Sequence, residues 1–207
     1  MIDKRQYSPS AERNRGPILE AMRGYLPAAG TVLEVASGSG EHAVYFAPQI
    51  APLKWQVSNL DRAQLDSVQS WITHCPADNL LSPILLDATA ETWPVETDEY
   101  PGKPVTALFN ANMIHISSWN VTEGLFAGAG RILPQGGRMF LYGPYRVNGA
   151  QTSSSNVEFE VWLKSLDQEF AIRDQEQVIS EAKKNGLTHL NALPMPANNF
   201  LQIFEKR

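Results

Sequence analysis

The chain has 207 residues, 43% of them hydrophobic and 19% charged, enough to bury one full core without metals or cross-links. A net charge of −5 weighs against a basic groove for nucleic-acid phosphates, and a single cysteine, Cys75, excludes an internal disulfide and fits a reducing compartment. Apolar runs stay well short of the roughly 18 residues that span a bilayer, and Met1–Arg15 is too polar for a secretory signal; the expected setting is the cytoplasm, with no membrane partner.

Ser10–Leu26 reads as an opening helix, with Asn14 as its N-cap and Pro17 in the first turn, where a missing N–H costs little. Ile18, Leu19, Met22 and Leu26 share one face. Strands and helices then alternate: strand Thr31–Ala36, helix Gly40–Ala47, strand Lys54–Ser58, helix Ala63–His74 and strand Ser82–Leu86. After Glu91–Pro104, which holds a short helix at most, come strand Val105–Asn110, helix Thr122–Leu133 and strand Gly137–Tyr142. Alternation of this kind predicts a parallel sheet covered by helices on both faces. The serine-rich stretch Asn148–Ser155 is expected to be a mobile loop that frames a lid or a peptide groove. Helices follow at Asn156–Gln168 and Asp174–Asn185, the latter closed by Gly186. Leu187–Leu193 and Asn199–Glu205 then form an antiparallel hairpin.

The run Thr31-Val-Leu-Glu-Val-Ala-Ser-Gly-Ser-Gly-Glu-His42 takes a strand through small residues into a helix. Such a turn lets backbone approach a ligand closely. Gly38-Ser-Gly40-Glu-His-Ala43 spells the dinucleotide fingerprint, and Asp61 lies about 20 residues on, so a nicotinamide cofactor and an oxidoreductase are one reading. Three features pull the other way. Glu34 ends the first strand and would repel a nearby pyrophosphate, Asp87 adds an acid at the end of strand three, and the terminal hairpin does not belong to the six-stranded parallel plan.

With these residues the chain resembles the class I S-adenosylmethionine-dependent methyltransferases. Their first motif corresponds here to Glu34-Val-Ala-Ser-Gly-Ser-Gly40, with Ala36 in place of the usual first glycine. The turn Arg131-Ile-Leu-Pro-Gln-Gly-Gly-Arg-Met-Phe-Leu-Tyr142 is also similar. More narrowly, Ser8-Pro-Ser-Ala-Glu-Arg-Asn-Arg-Gly-Pro-Ile-Leu19, Asn112-Met-Ile-His-Ile-Ser117, Tyr142-Gly-Pro-Tyr145 and Met195-Pro-Ala-Asn-Asn199 look like the methyltransferase-like protein 26 family. The resemblance implies a doubly wound seven-stranded, mostly parallel sheet of the Rossmann-like methyltransferase kind with a C-terminal antiparallel hairpin. It is expected as a single domain with an N-terminal helical segment at about 8–26, a cofactor core at 31–145 and a substrate-side region at 146–207.

The resemblance also implies S-adenosylmethionine as cofactor and a set of contacts. Asp61 is expected on the ribose, with Asn59 as a second candidate two residues away. Asp87 and Ala88 fall at the adenine, and Glu34, Ala36, Gly38, Gly40 and Asn110 at the cradle and the methionine part. On the acceptor side His115 suits a general base; Tyr142 and Tyr145 offer aromatic walls or a hydroxyl to the substrate, with Tyr145 the second catalytic candidate; and Arg13, Asn14, Asn112 and Met113 are substrate contacts. His115 capping a helix and Tyr142 packing in the core remain equal alternatives. No Cys/His cluster has metal-ligand spacing. The expected activity is methyl transfer to a small molecule. A protein substrate, and a non-catalytic binding protein that keeps the fold, stay open.

Overall fold

The computed structural model describes residues 3–102 and 104–207. Met1 and Ile2 of the polar start, and Lys103 within Glu91–Pro104, lie outside the described residues. Helix α1 (Pro9–Arg23) begins earlier than expected. Ser8 Oγ accepts from Ala11 N at 3.3 Å and Pro9 occupies the first helical position, so Ser8 is the cap. Asn14 therefore lies inside the helix and Pro17 is an interior proline, a correction to both expectations.

The chain continues through β1 (Thr31–Glu34), α2 (Glu41–Phe46), β2 (Lys54–Asn59), α3 (Arg62–His74), β3 (Leu80–Leu85), β4 (Val105–Ala111), α4 (Trp119–Ile132) and β5 (Arg138–Val147). Among the described residues of the stretch before β4, a single 3-10 turn forms, Pro94–Glu96. Two-residue strands β6 (Ala150–Gln151) and β7 (Arg173–Asp174) flank α5 (Ser154–Leu166). Helix α6 (Gln175–Lys184), β8 (Leu187–Met195) and β9 (Asn199–Lys206) complete the order. The principal sheet runs β3-β2-β1-β4-β5-β9-β8, and β6 and β7 pair with the far end of β5. The first five strands are parallel, and β9 inserts antiparallel between β5 and β8. A seven-stranded, mostly parallel sheet with a terminal hairpin is thus what the chain forms.

Alternate residues of each central strand feed opposite cores. Leu33, Leu108, Met139 and Leu141 join the cluster beneath α4 and α6, with Trp93, Phe126 and Phe204. Val32, Phe109, Phe140 and Tyr142 join Ile18, Met22, Phe46 and Trp55 beneath α1, α2 and α3. Both faces are covered, which explains the near-continuous apolar runs of β1 and β4.

The Asn148–Ser155 stretch is not a structureless loop. Asn148 (φ 51°) and Gly149 (φ 74°) make a two-residue left-handed turn that folds β6 back onto β5. Ser153 Oγ then caps α5 by accepting from Asn156 N at 3.2 Å.

Candidate functional site

The strand order reverses direction between β1 and β4, and the loops at the carboxyl ends of β1, β2 and β4 meet there. The loop after β1 is stitched to its neighbours. Ser37 N donates to Ser58 O at 2.9 Å, Ser58 Oγ donates to Glu34 O at 2.7 Å, and Asn110 Nδ2 donates to Val35 O at 2.8 Å. Within it Ala36 and Gly38 both have φ of 57°. Gly40 (φ 97°) brings the start of α2 against α3, where a Cβ would stand 2.9 Å from Val68 Cα.

Above this loop lies a cavity of about 350 Å³. Its floor is Ala36–Ser39 with His42 of α2; Asn59 and Gln64 form one end, and Ala111–Met113 and Ile116 the other. The first turns of α1 supply the roof through Ser8, Ser10, Ala11 and Asn14. The roof is tied down by Ser8 N donating to Glu41 Oε2 and by Asn14 Oδ1, 2.7 Å from His42 Nε2. Hydroxyls and neutral amides supply most of the polar groups of the lining, and among the described residues His42 is its one titratable side chain.

Of the residues singled out from the sequence, Asn14, Ala36, Gly38, Asn59, Asn112 and Met113 line this cavity. The others stand behind or beside it. Glu34 is buried, its Oε2 accepting from Trp55 Nε1 at 2.8 Å. Burial pushes its carboxyl up to about 7. Asp61 caps α3 through Ala63 N at 2.8 Å, while the neighbouring Asn59 lines the cavity and pairs with Gln64 Oε1 at 2.7 Å. Asp87 is exposed and holds the N–H and hydroxyl of Thr89; Ala88 is buried in the apolar core. Arg13 is exposed on α1. Asn110 is buried with its Oδ1 lacking a partner among the described residues.

His115 and Tyr145 are sealed rather than presented to the cavity. Both are fully buried, with rings edge to face at 5.2 Å. His115 Nδ1 accepts from Arg173 N at 3.3 Å, and burial, reinforced by the Arg173 charge, lowers its imidazole to about 3. Neither His115 Nε2 nor Tyr145 Oη has a partner among the described residues. Ser8, Ser10, Ala11, Ser37, Ser39, His42, Gln64, Ala111 and Ile116 were not anticipated. Only the helical phase of His42, directly after the glycine turn, carried a readable signal. No group of three or more His, Cys, Asp or Glu able to hold a metal occurs among the described residues. Among them, too, no helix is long and apolar enough to cross a membrane.

A family model described as protein of unknown function (DUF938) matches residues 5–206. The chain belongs to that family. Among solved structures, this DUF938 member is similar to an O-methyltransferase family 2 protein from Planctomyces limnophilus in complex with apigenin. The TM-score is 0.76 at 18% identity, over 96% of this chain and 60% of that one. It is also similar to mitomycin 7-O-methyltransferase (TM-score 0.79, 14% identity, 96% of this chain and 54% of the other). Human N-acetylserotonin methyltransferase in complex with SAM gives a TM-score of 0.73 at 12% identity, over 95% and 52% of the two chains. The DUF938 chain spans 52–60% of the length of these three proteins. At such identities the likeness establishes the fold.

Proposed function

We propose that the cavity binds S-adenosylmethionine and that the protein transfers its methyl group to a small-molecule acceptor. The observation that carries this reading is a cavity at the β1/β4 switch point without charged lining residues among those described, with the buried Glu41 carboxylate at the start of α2, where a pyrophosphate would sit. Glu41 opens α2 with a buried carboxylate that accepts from Ser8 N and from Ser39 Oγ at 2.8 Å. Glu34 lies buried beneath the same turn. Both weigh against a dinucleotide and suit a cationic ligand. The fold shared with methyltransferases, one solved with SAM and another with apigenin, supports the same reading. So does the convergence on the cavity of Ser8, Asn14, Asn112 and Met113, which lie in the segments similar to the methyltransferase-like protein 26 family.

The donor set fits such a ligand. Asn59 and Gln64, at the β2 end of the cavity, are assigned to the ribose hydroxyls, and the exposed Asp87 beside it, beyond the end of β3, to the adenine amino group. The left-handed Ala36 and Gly38 permit close approach of the methionine part, and the α1 roof excludes water. Bound there, the cofactor supplies an electrophilic methyl group on a sulfonium. Asn112 and Met113 would then orient the acceptor, with Ile116 adding an apolar edge.

Calorimetric titration tests the cofactor. Binding of S-adenosylmethionine and of its demethylated product is expected, with no heat from NAD. A folded sample that binds neither of the first two overturns the reading. Incubation with methyl-labelled cofactor and a metabolite extract, followed by mass detection, then identifies the acceptor.

A further inference from the structure

Glu34 and His42 stand together behind the cavity wall. Glu34 Oε1 is 3.9 Å from His42 Nδ1, and the imidazole forms part of the lining. Its other nitrogen, Nε2, faces Asn14 Oδ1. Glu34 is 1% exposed; its carboxyl accepts from Trp55 Nε1, and Ser37 Oγ donates to its backbone carbonyl at 3.4 Å. The ring of His42 is stacked on Phe46 at 5.2 Å and meets Phe109 edge-on at 5.9 Å. A cation in the cavity would therefore have an ionisable carboxyl one ring's width away, across apolar surroundings where charge is poorly screened.

We propose that Glu34 and His42 form a charge-sensing pair: a sulfonium in the cavity draws the proton from Glu34, and the resulting carboxylate favours that cation over the neutral thioether product. The inference rests on the S-adenosylmethionine reading above. Without a cation, burial keeps His42 neutral and leaves Glu34 about half protonated at neutral pH. It lifts the Glu34 carboxyl to about 7 and lowers the His42 imidazole to about 4, the Arg15 charge adding to the latter. The remaining acid nearby, Glu41, is engaged by Ser8 N and Ser39 Oγ, and Tyr142 reaches the pair through Asn14. Entry of the cation releases the Glu34 proton to solvent. Methyl transfer, leaving the bonding electron pair on sulfur, would make the ligand neutral; the attraction would lapse, and Glu34 would take a proton back from water. By linkage, whatever cation binding does to the proton, the proton does to cation binding.

The test needs no acceptor. Titrations of S-adenosylmethionine at pH 7 in phosphate and in Tris, which differ in ionisation enthalpy, count the protons released. A few tenths of a proton per cofactor is expected, with markedly less for the demethylated product. Glu34→Gln should abolish the release and shrink the preference for cofactor over product about tenfold, the equivalent of one pKa unit. Trp55→Phe, which removes a donor to the carboxylate, should move half-release to higher pH and serves if the Gln variant does not fold. Equal proton counts for cofactor and product, or a count unchanged by both substitutions, overturns the charge-sensing pair while leaving the cofactor reading intact. Absence of binding by either ligand overturns both.

Discussion

A Cβ built on Gly143 would overlap His115 Nε2 and lie 3.1 Å from Asn112 Oδ1. Neither neighbour can yield freely, because His115 is held between Arg173 N and the Tyr145 ring, and Asn112 sits in the left-handed region with φ of 64°. Gly143→Ala should therefore cost about 1–3 kcal/mol, as overpacking does, seen as a lower denaturant midpoint at unchanged slope. The adjacent carbonyl-side residues of β2 give a second test at this scale. Asn59 lines the cavity whereas Asp61, two residues on, accepts from Ala63 N as the cap of α3. Asn59→Ala is expected to weaken cofactor binding about tenfold, the loss of one or two hydrogen bonds. Asp61→Ala is expected to lower unfolding free energy by about 1 kcal/mol, the usual value of a cap. The reverse pattern, measured by calorimetry and urea unfolding, would return the ribose to Asp61.

The 3-10 turn Met113–His115, whose first residue lines one end of the cavity, is pinned by one side chain from a distant element. Arg173 Nε donates to Ile114 O at 2.7 Å and its terminal nitrogen to Ser117 O at 2.5 Å, with the guanidinium 5.6 Å from the Trp119 ring. Arg173→Ala should cost about 2–3 kcal/mol, the range for hydrogen bonds from a charged donor, and speed amide exchange across residues 113–117. Lys cannot offer the same fork, so Arg173→Lys should recover less than half of the loss. This clamp illustrates what the sequence conceals. Helical and strand periods, together with glycine and proline punctuation, disclosed every principal strand and the glycine cradle between β1 and α2. Long-range partners have no such period: Arg173 is 56 residues from Ser117, and nothing local marks their meeting. The same holds for the roof, since Ser8 and Asn14 reach the cavity only through α1 packing on α2. Asn148-Gly149 is different. The pair is the strongest short-range hairpin signal and was legible, but the serines that follow it suggested a loop. His115 misled for a physical reason: its ordinary titration range suits a base, yet its place against Gly143 and Tyr145 removes it from the cavity.

At the scale of the whole molecule, three of the buried ionisable groups, His42, His115 and Glu34, have protons that pull stability in opposite directions. His115 and His42 are held neutral, near 3 and 4 against an ordinary 6.5, so they contribute stability that is complete above 6.5 and is lost as the pH falls. Glu34 is the reverse. Its carboxyl, ordinarily near 4.5, titrates at about 7 in the folded protein, so the cost of burying its charge is relieved as the pH falls from 7 to 4.5. Glu96 and Asp174, both held below their ordinary values, act mainly at still lower pH. Between pH 6.5 and 4.5 the unfolded chain thus carries two extra protons on the histidines and the folded protein one on Glu34, a net difference of about one. Each proton is worth about 1.4 kcal/mol per pH unit, so stability should fall by about 3 kcal/mol across this window. Glu34→Gln keeps an acceptor for Trp55 Nε1 but removes the compensating proton. Its loss over the same two units should roughly double, to about 5–6 kcal/mol. Urea unfolding of both proteins at pH 6.5, 5.5 and 4.5 measures the two slopes. Parallel slopes would mean that Glu34 is ionised in the folded protein throughout. The charge-sensing pair would then have no proton to give.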